Sequence, residues 1–157
     1  MGRRHLQYPR PGQSSQASSG IHLAAARVPS PDITGRPPVI DHTLYWSEVG
    51  DVAEACFLCA ILNCPRTAAL LRPLMAHGKD PPHVDKQIWR LAIPEYDPGD
   101  PVHRRLAQLG AALEREASAL DLDERRHFVR LRRAVRNSIT NGPMAAEIAA
   151  TVDDLLS

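Results

Sequence analysis

The stretch "IWRLAIPEYDPGDPVHRRLAQLG" (Ile88–Gly110) decides how the fold is read. Trp89, Leu91 and Ile93 alternate with Ile88, Arg90 and Ala92, the two-residue period of a strand. Pro94 carries no N–H and ends ladder pairing there. Glu95 to Asp100 is turn chemistry, and Asp100-Pro101 supplies an N-cap followed by a first-turn proline. Leu106, Leu109, Leu113, Ala117 and Leu120 then recur at helical spacing, a narrow stripe close to a coiled-coil seam. Strand, turn and helix in this order point to an α+β chain.

Upstream, Val39–Trp46 ("VIDHTLYW") is β-branched and aromatic, with Ile40, Leu44 and Trp46 on one alternating face, and reads as a first strand. Asp51 can cap a helix, and Glu54 can close a capping box over it. That helix is apolar almost all round from Val52 to Leu62, which predicts burial on most sides. Asn63 and Pro65 end it. Pro65 opens a second helix that Pro73 should kink or cut, and His77–His83 is a loop.

Downstream, Asp121 and Glu124 form another possible capping box. Phe128, Leu131, Val135 and Ile139 then mark one face of a helix, and Pro143 to Leu156 is a short terminal helix. Residues 1–38 have no period and abundant Pro, Ser, Gly and Gln, too little to offset their ordering entropy. The expectation is a mostly helical α+β protein in three parts. A disordered leader (1–38) precedes two short strands with a buried helix (39–100), and a C-terminal helical hairpin or bundle follows (101–157).

The 157 residues suffice for one domain with a modest core. A net charge of +1 creates no whole-molecule field that would argue for nucleic acid or membrane. The charge is uneven, however, with six arginines between residues 125 and 136. Three cysteines (Cys56, Cys59, Cys64) crowd one apolar stretch, which is no disulfide framework and suits a reducing cytoplasm. No run approaches the roughly eighteen apolar residues of a membrane span, and residues 1–38 lack the apolar centre of a secretory signal. A cytoplasmic protein with no membrane partner is expected.

Cys56-x-x-Cys59 with Cys64 and His77 or His83 invites a zinc reading. The pair sits inside "EACFLCAIL", though, where cysteine behaves as a small apolar residue, so packing is preferred and no metal is expected. There is no H-E-x-x-H, no G-x-S-x-G elbow, no phosphate loop and no dinucleotide turn. Glu95, Asp97 and Asp100 are accounted for as turn acceptors. No catalytic or cofactor-binding residues emerge. The most informative feature is "RRHFVRLRR" with Arg136. At 100° per residue Arg126, Arg130 and Arg133 fall together opposite Phe128, Leu131 and Val135, flanked by Arg125, Arg132 and Arg136. Guanidinium groups so placed would track the phosphates of duplex DNA. A solvated face paired with Glu114, Glu116 and Asp123 would look much the same.

Two motifs in order carry a resemblance. Phe57-Leu58-Cys59-Ala60-Ile61-Leu62-Asn63-Cys64-Pro65 is similar to a helix in the target-recognition region of bacterial N-6 adenine-specific DNA methyltransferases, with Cys64 where serine is usual. Leu91-Ala92-Ile93-Pro94-Glu95-Tyr96-Asp97-Pro98 and Pro101-Val102-His103-Arg104-Arg105-Leu106-Ala107 resemble the strand exit and closing helix of the same region. The resemblance runs from about Val39 to the C-terminus and includes the large single-chain restriction–modification enzymes. It implies that the junction is a hinge that holds orientation.

The family's Asn/Asp-Pro-Pro-aromatic motif and its S-adenosylmethionine loop have no counterpart. Asp80-Pro81-Pro82 is followed by His83. The chain therefore reads as a non-catalytic DNA-recognition fragment, truncated or dependent on a catalytic methyltransferase partner that would hold S-adenosylmethionine. The alternatives are a small helical interaction module, self-associating through Leu106, Leu109 and Leu113, or a degenerate remnant without independent activity.

Overall fold

Asp51 ends an extended stretch of backbone, and its carboxylate accepts the Glu54 N–H at 2.8 Å, which starts the first helix. The computed structural model describes residues 23–28, 46–74, 88, 90–123, 125 and 127–156. Helix α1 spans Val52–Asn63 and α2 spans Pro65–Leu71. A single 3-10 turn, Arg72–Leu74, follows where Pro73 denies the helix its next hydrogen bond. Helix α3 spans Pro101–Ser118, α4 Phe128–Thr140 and α5 Pro143–Leu155. No single helix among the described residues is long and apolar enough to cross a membrane.

The described part is helical and contains no strand, which corrects the α+β expectation. At the second expected strand, the Leu91 N–H donates to the Ile88 carbonyl at 3.2 Å, a tight local turn. A strand needs a neighbour for its N–H and C=O groups, and none is present among the described residues. Of the first expected strand only Trp46 is described, and it is irregular; residues 39–45 lie outside the described residues.

Two caps also differ from expectation. Glu54 returns its bond to the Gly50 N–H at 2.6 Å, one residue before the cap. Helix α4 begins at Phe128, where His127 Nδ1 accepts the Val129 N–H at 3.4 Å, so Asp121 does not start it. Within the expected disordered leader, residues 23–28 instead lie extended and bonded to α1 and α3. The remainder of that leader is outside the described residues.

The core is the α1–α3 pair, closed by α5. Phe57, Ile61, Leu106 and Val152 are fully buried, and Leu109, Leu113 and Ile148 nearly so. The leucine stripe expected to offer a self-association seam is thus spent inside the chain. Burying each such leucine contributes about 1.5–3 kcal/mol. The helices run antiparallel: Val52 lies near Ser118 and Ala119, Cys56 near Glu114, and the Phe57 ring near His103. They cross at Gly110, where a Cβ would stand 2.2 Å from the Cys56 carbonyl oxygen. Only glycine permits that approach.

The Tyr96–Asp100 turn is fastened on three sides. Asp97 accepts the Gly99 N–H at 2.7 Å, and its own N–H donates to His103 Nδ1 at 3.0 Å. Asp100 caps α3 by accepting from Val102 N–H at 2.7 Å. The Phe57 ring of α1 lies 4.8 Å from the buried His103 ring and 5.4 Å from the Tyr96 ring. The junction therefore sets the angle at which α3 meets α1.

Candidate nucleic-acid interface

Helix α4 supplies the candidate face. Its apolar positions Leu131, Val135 and Ile139 are half-buried, Phe128 is 47% exposed, and no residue of α4 is fully buried. The helix therefore lies on the body by one edge and presents the rest outward. Arg130, Arg132 and Arg133 are exposed. Arg136 is half-buried and lines a cavity of about 120 Å³ with Leu23, Asn63, Pro65 and Ile139.

Of the six expected arginines, the structure brings these four together on one helix. Arg125 is exposed in the preceding turn, where its N–H donates to Asp123 Oδ1 at 3.1 Å. It does not share the α4 face, because the helix starts three residues later than a continuous stripe requires. Arg126 lies outside the described residues.

The carboxylates decide how the face is charged. Glu114, one expected partner, is taken by Arg27 in a fork of 2.7 and 3.2 Å. Arg66 pairs with Asp153 at 2.5 Å, and Arg105 with Glu147 at 2.6 and 2.8 Å. The hydrogen bond and charge of Arg105 hold the Glu147 carboxyl below its ordinary range. Among the described residues no ion pair engages Arg130, Arg132, Arg133 or Arg136. Three arginines elsewhere are neutralised, and four on α4 are left to solvent or to an anion.

The cysteines pack. Cys56 and Cys64 are buried and Cys59 is half-buried, all as free thiols at α1 or its end. Burial, followed by the neighbouring charges of Cys56 and Glu114, pushes the Cys59 thiol up to about 11. Among the described residues no group of three His, Cys, Asp or Glu side chains could hold a metal ion. His77, Asp80 and His83 lie outside the described residues. An open groove of about 460 Å³ runs between α1 and α3, lined by Arg27, Val52, Cys56, Glu114, Arg115 and Ser118. Its Glu114 is paired with Arg27, and burial raises the pKa of the Cys56 thiol.

Sequence reasoning missed the contacts of residues 23–28. The Asn63 carboxamide both donates to and accepts from the Ala25 backbone, at 2.9 Å each way. Nothing in "LAAARV" itself signals it, since the partners Asn63 and Glu114 stand 38 and 87 residues away. Comparisons with models of protein families, with curated proteins and with solved structures returned no match.

Proposed function

We propose that this chain is a non-catalytic module that contacts the phosphate backbone of duplex DNA through α4. The observation that carries the reading is the unpaired set Arg130, Arg132, Arg133 and Arg136, on a helix that touches the body along one edge only. Guanidinium groups free of carboxylates can bond phosphate oxygens and release counterions. The resemblance refines the proposal to a recognition fragment related to a restriction–modification adenine methyltransferase. Catalysis and S-adenosylmethionine would then belong to a separate partner. A cytoplasmic location belongs to the same reading, and three thiols without a disulfide suit a reducing compartment.

The test is fluorescence anisotropy of the full chain with a labelled duplex across a salt series. Each phosphate contact contributes about 0.9 to the log–log salt slope, so Arg130→Gln with Arg133→Gln should flatten it by up to about 1.8. Equal affinity and slope in a folded double variant would rule the face out.

A second reading has its own observation: Phe128 and the apolar edge of α4 are only partly covered. A protein partner seated there, such as the catalytic subunit, would bury that edge. Phe128→Ser should then weaken partner capture while leaving the salt slope for DNA unchanged.

A further inference from the structure

Residues 23–28 ("LAAARV") lie extended across the helices, with Leu23, Ala25 and Arg27 half-buried and Ala24, Ala26 and Val28 exposed. The body reads this strap at three alternate positions. Leu23 enters the cavity beside Cys64, Pro65 and Ala68. Ala25 has both backbone groups clamped by Asn63, a contact that any residue type could make. Arg27 is forked by Glu114, which selects a guanidinium. These partners stand 38 and 87 residues away in sequence, so the contacts owe nothing to local chain geometry.

Two further observations point to what else could occupy the groove. Residues 29–45 join the strap to the helical body, and fully extended they span up to about 60 Å. That is about twice the length of α3, roughly 27 Å for its 18 residues. The connection is long enough to reach a neighbouring molecule. Secondly, exposed large apolar side chains gather at its two ends: Val28 (54%) before it, and Trp46 (42%), Val49 (37%) and Val52 (60%) after it. A second molecule arriving by this route would cover them.

We propose that the α1–α3 groove takes the 23–28 strap of a second copy of this chain, giving a reciprocal dimer. Each copy carries both ligand and receptor, and the docking contacts are the same within and between molecules. Docking within the chain has the advantage of high effective concentration, so exchange grows with protein concentration. This route does not use the buried leucine stripe.

The experiment uses charge complementation in the full chain. Arg27→Glu and Glu114→Arg each place like charges at the docking point, and each variant alone should sediment as a monomer. Mixed in equal amounts, each supplies the charge the other lacks at both grooves, and a heterodimer should form. The double variant, carrying both changes in one chain, restores the pair internally and should behave as wild type, dimerising only as concentration rises. A mixture that stays monomeric, with both variants folded by circular dichroism, overturns the proposal. So does either single variant dimerising alone. Should one variant fail to fold, a fluorescent peptide of residues 21–30 offered to the full wild-type chain should bind it, and should bind more weakly when the peptide carries Arg27→Glu. No binding, or equal binding by the two peptides, also overturns the proposal.

Discussion

Gly110→Ala isolates the contact on which the core depends. The new Cβ would stand 2.2 Å from the Cys56 carbonyl oxygen, 3.0 Å from its carbon and 3.2 Å from Ala60 Cβ. Ordinary contact begins near 3.4 Å, so α1 and α3 must separate by about 1.2 Å or bend. The obstacle is backbone, and no rotamer change relieves it. Overpacking in a core costs about 1–3 kcal/mol, and a gap of about 1 Å forfeits up to half of the dispersion energy of the contacts it opens. Phe57, Leu106 and Leu113 all lie along that interface, which puts this case at the upper end, about 3 kcal/mol. Alanine's better helix propensity offsets about 1 kcal/mol.

The net loss of about 2 kcal/mol should lower Tm by about 4–8 °C in a chain of 157 residues. Thermal circular dichroism of wild type, Gly110→Ala and the double variant Gly110→Ala with Ala60→Gly tests it. The second change should rescue little, because Ala60 is the least crowded of the three contacts. An unchanged or higher Tm for Gly110→Ala would refute the reasoning, since propensity alone would then account for the result.

Gly142 demands glycine for the opposite reason. A Cβ there meets nothing within 4 Å, but φ is +100°. Gly142→Ala should cost about 1–3 kcal/mol through backbone strain alone, read as a lower urea midpoint. Asp100→Ala removes the cap that accepts from Val102 and His103, and should cost about 1 kcal/mol by the same assay. Cys59, with its thiol near 11, should react with iodoacetamide at pH 8 roughly a hundredfold more slowly than a free cysteine. Its raised folded value also fixes a sign. The unfolded thiol ionises first, so its contribution to stability is intact below about pH 9 and is lost as pH rises towards about 11. Urea midpoints across that window check it.

Much of the helical part was legible because its signals are local. Asp51, Asp100 and Pro101 act at the caps where the sequence puts them, and Pro73 ends α2 as its missing N–H requires. The misreadings concern partners. Ile88–Ile93 has a strand's alternation, but alternation cannot supply a neighbouring edge. The leucine stripe of α3 looks the same whether it meets another molecule or, as here, α1. On sequence alone "RRHFVRLRR", with no Pro or Gly to interrupt it, puts Arg126, Arg130 and Arg133 together on one helix face with Arg125, Arg132 and Arg136 beside them. Its interruption is His127, whose ring caps α4 and leaves Arg125 in the turn. The strap was hidden by composition: in a Pro- and Ser-rich region, an Arg-to-Glu fork 87 residues long in sequence leaves no local trace.

The late arrival of α5 has a consequence for the protein's birth. Val152 is fully buried and Ile148 nearly so, both within the core that contains α1. About 90 residues separate Asn63 from Val152, some 4–18 s of translation at ordinary rates. For that interval α1, apolar on nearly every side, leaves the ribosome without the helix that completes its enclosure. A nascent-chain chaperone would find its binding site there, in a segment that the finished molecule hides from solvent.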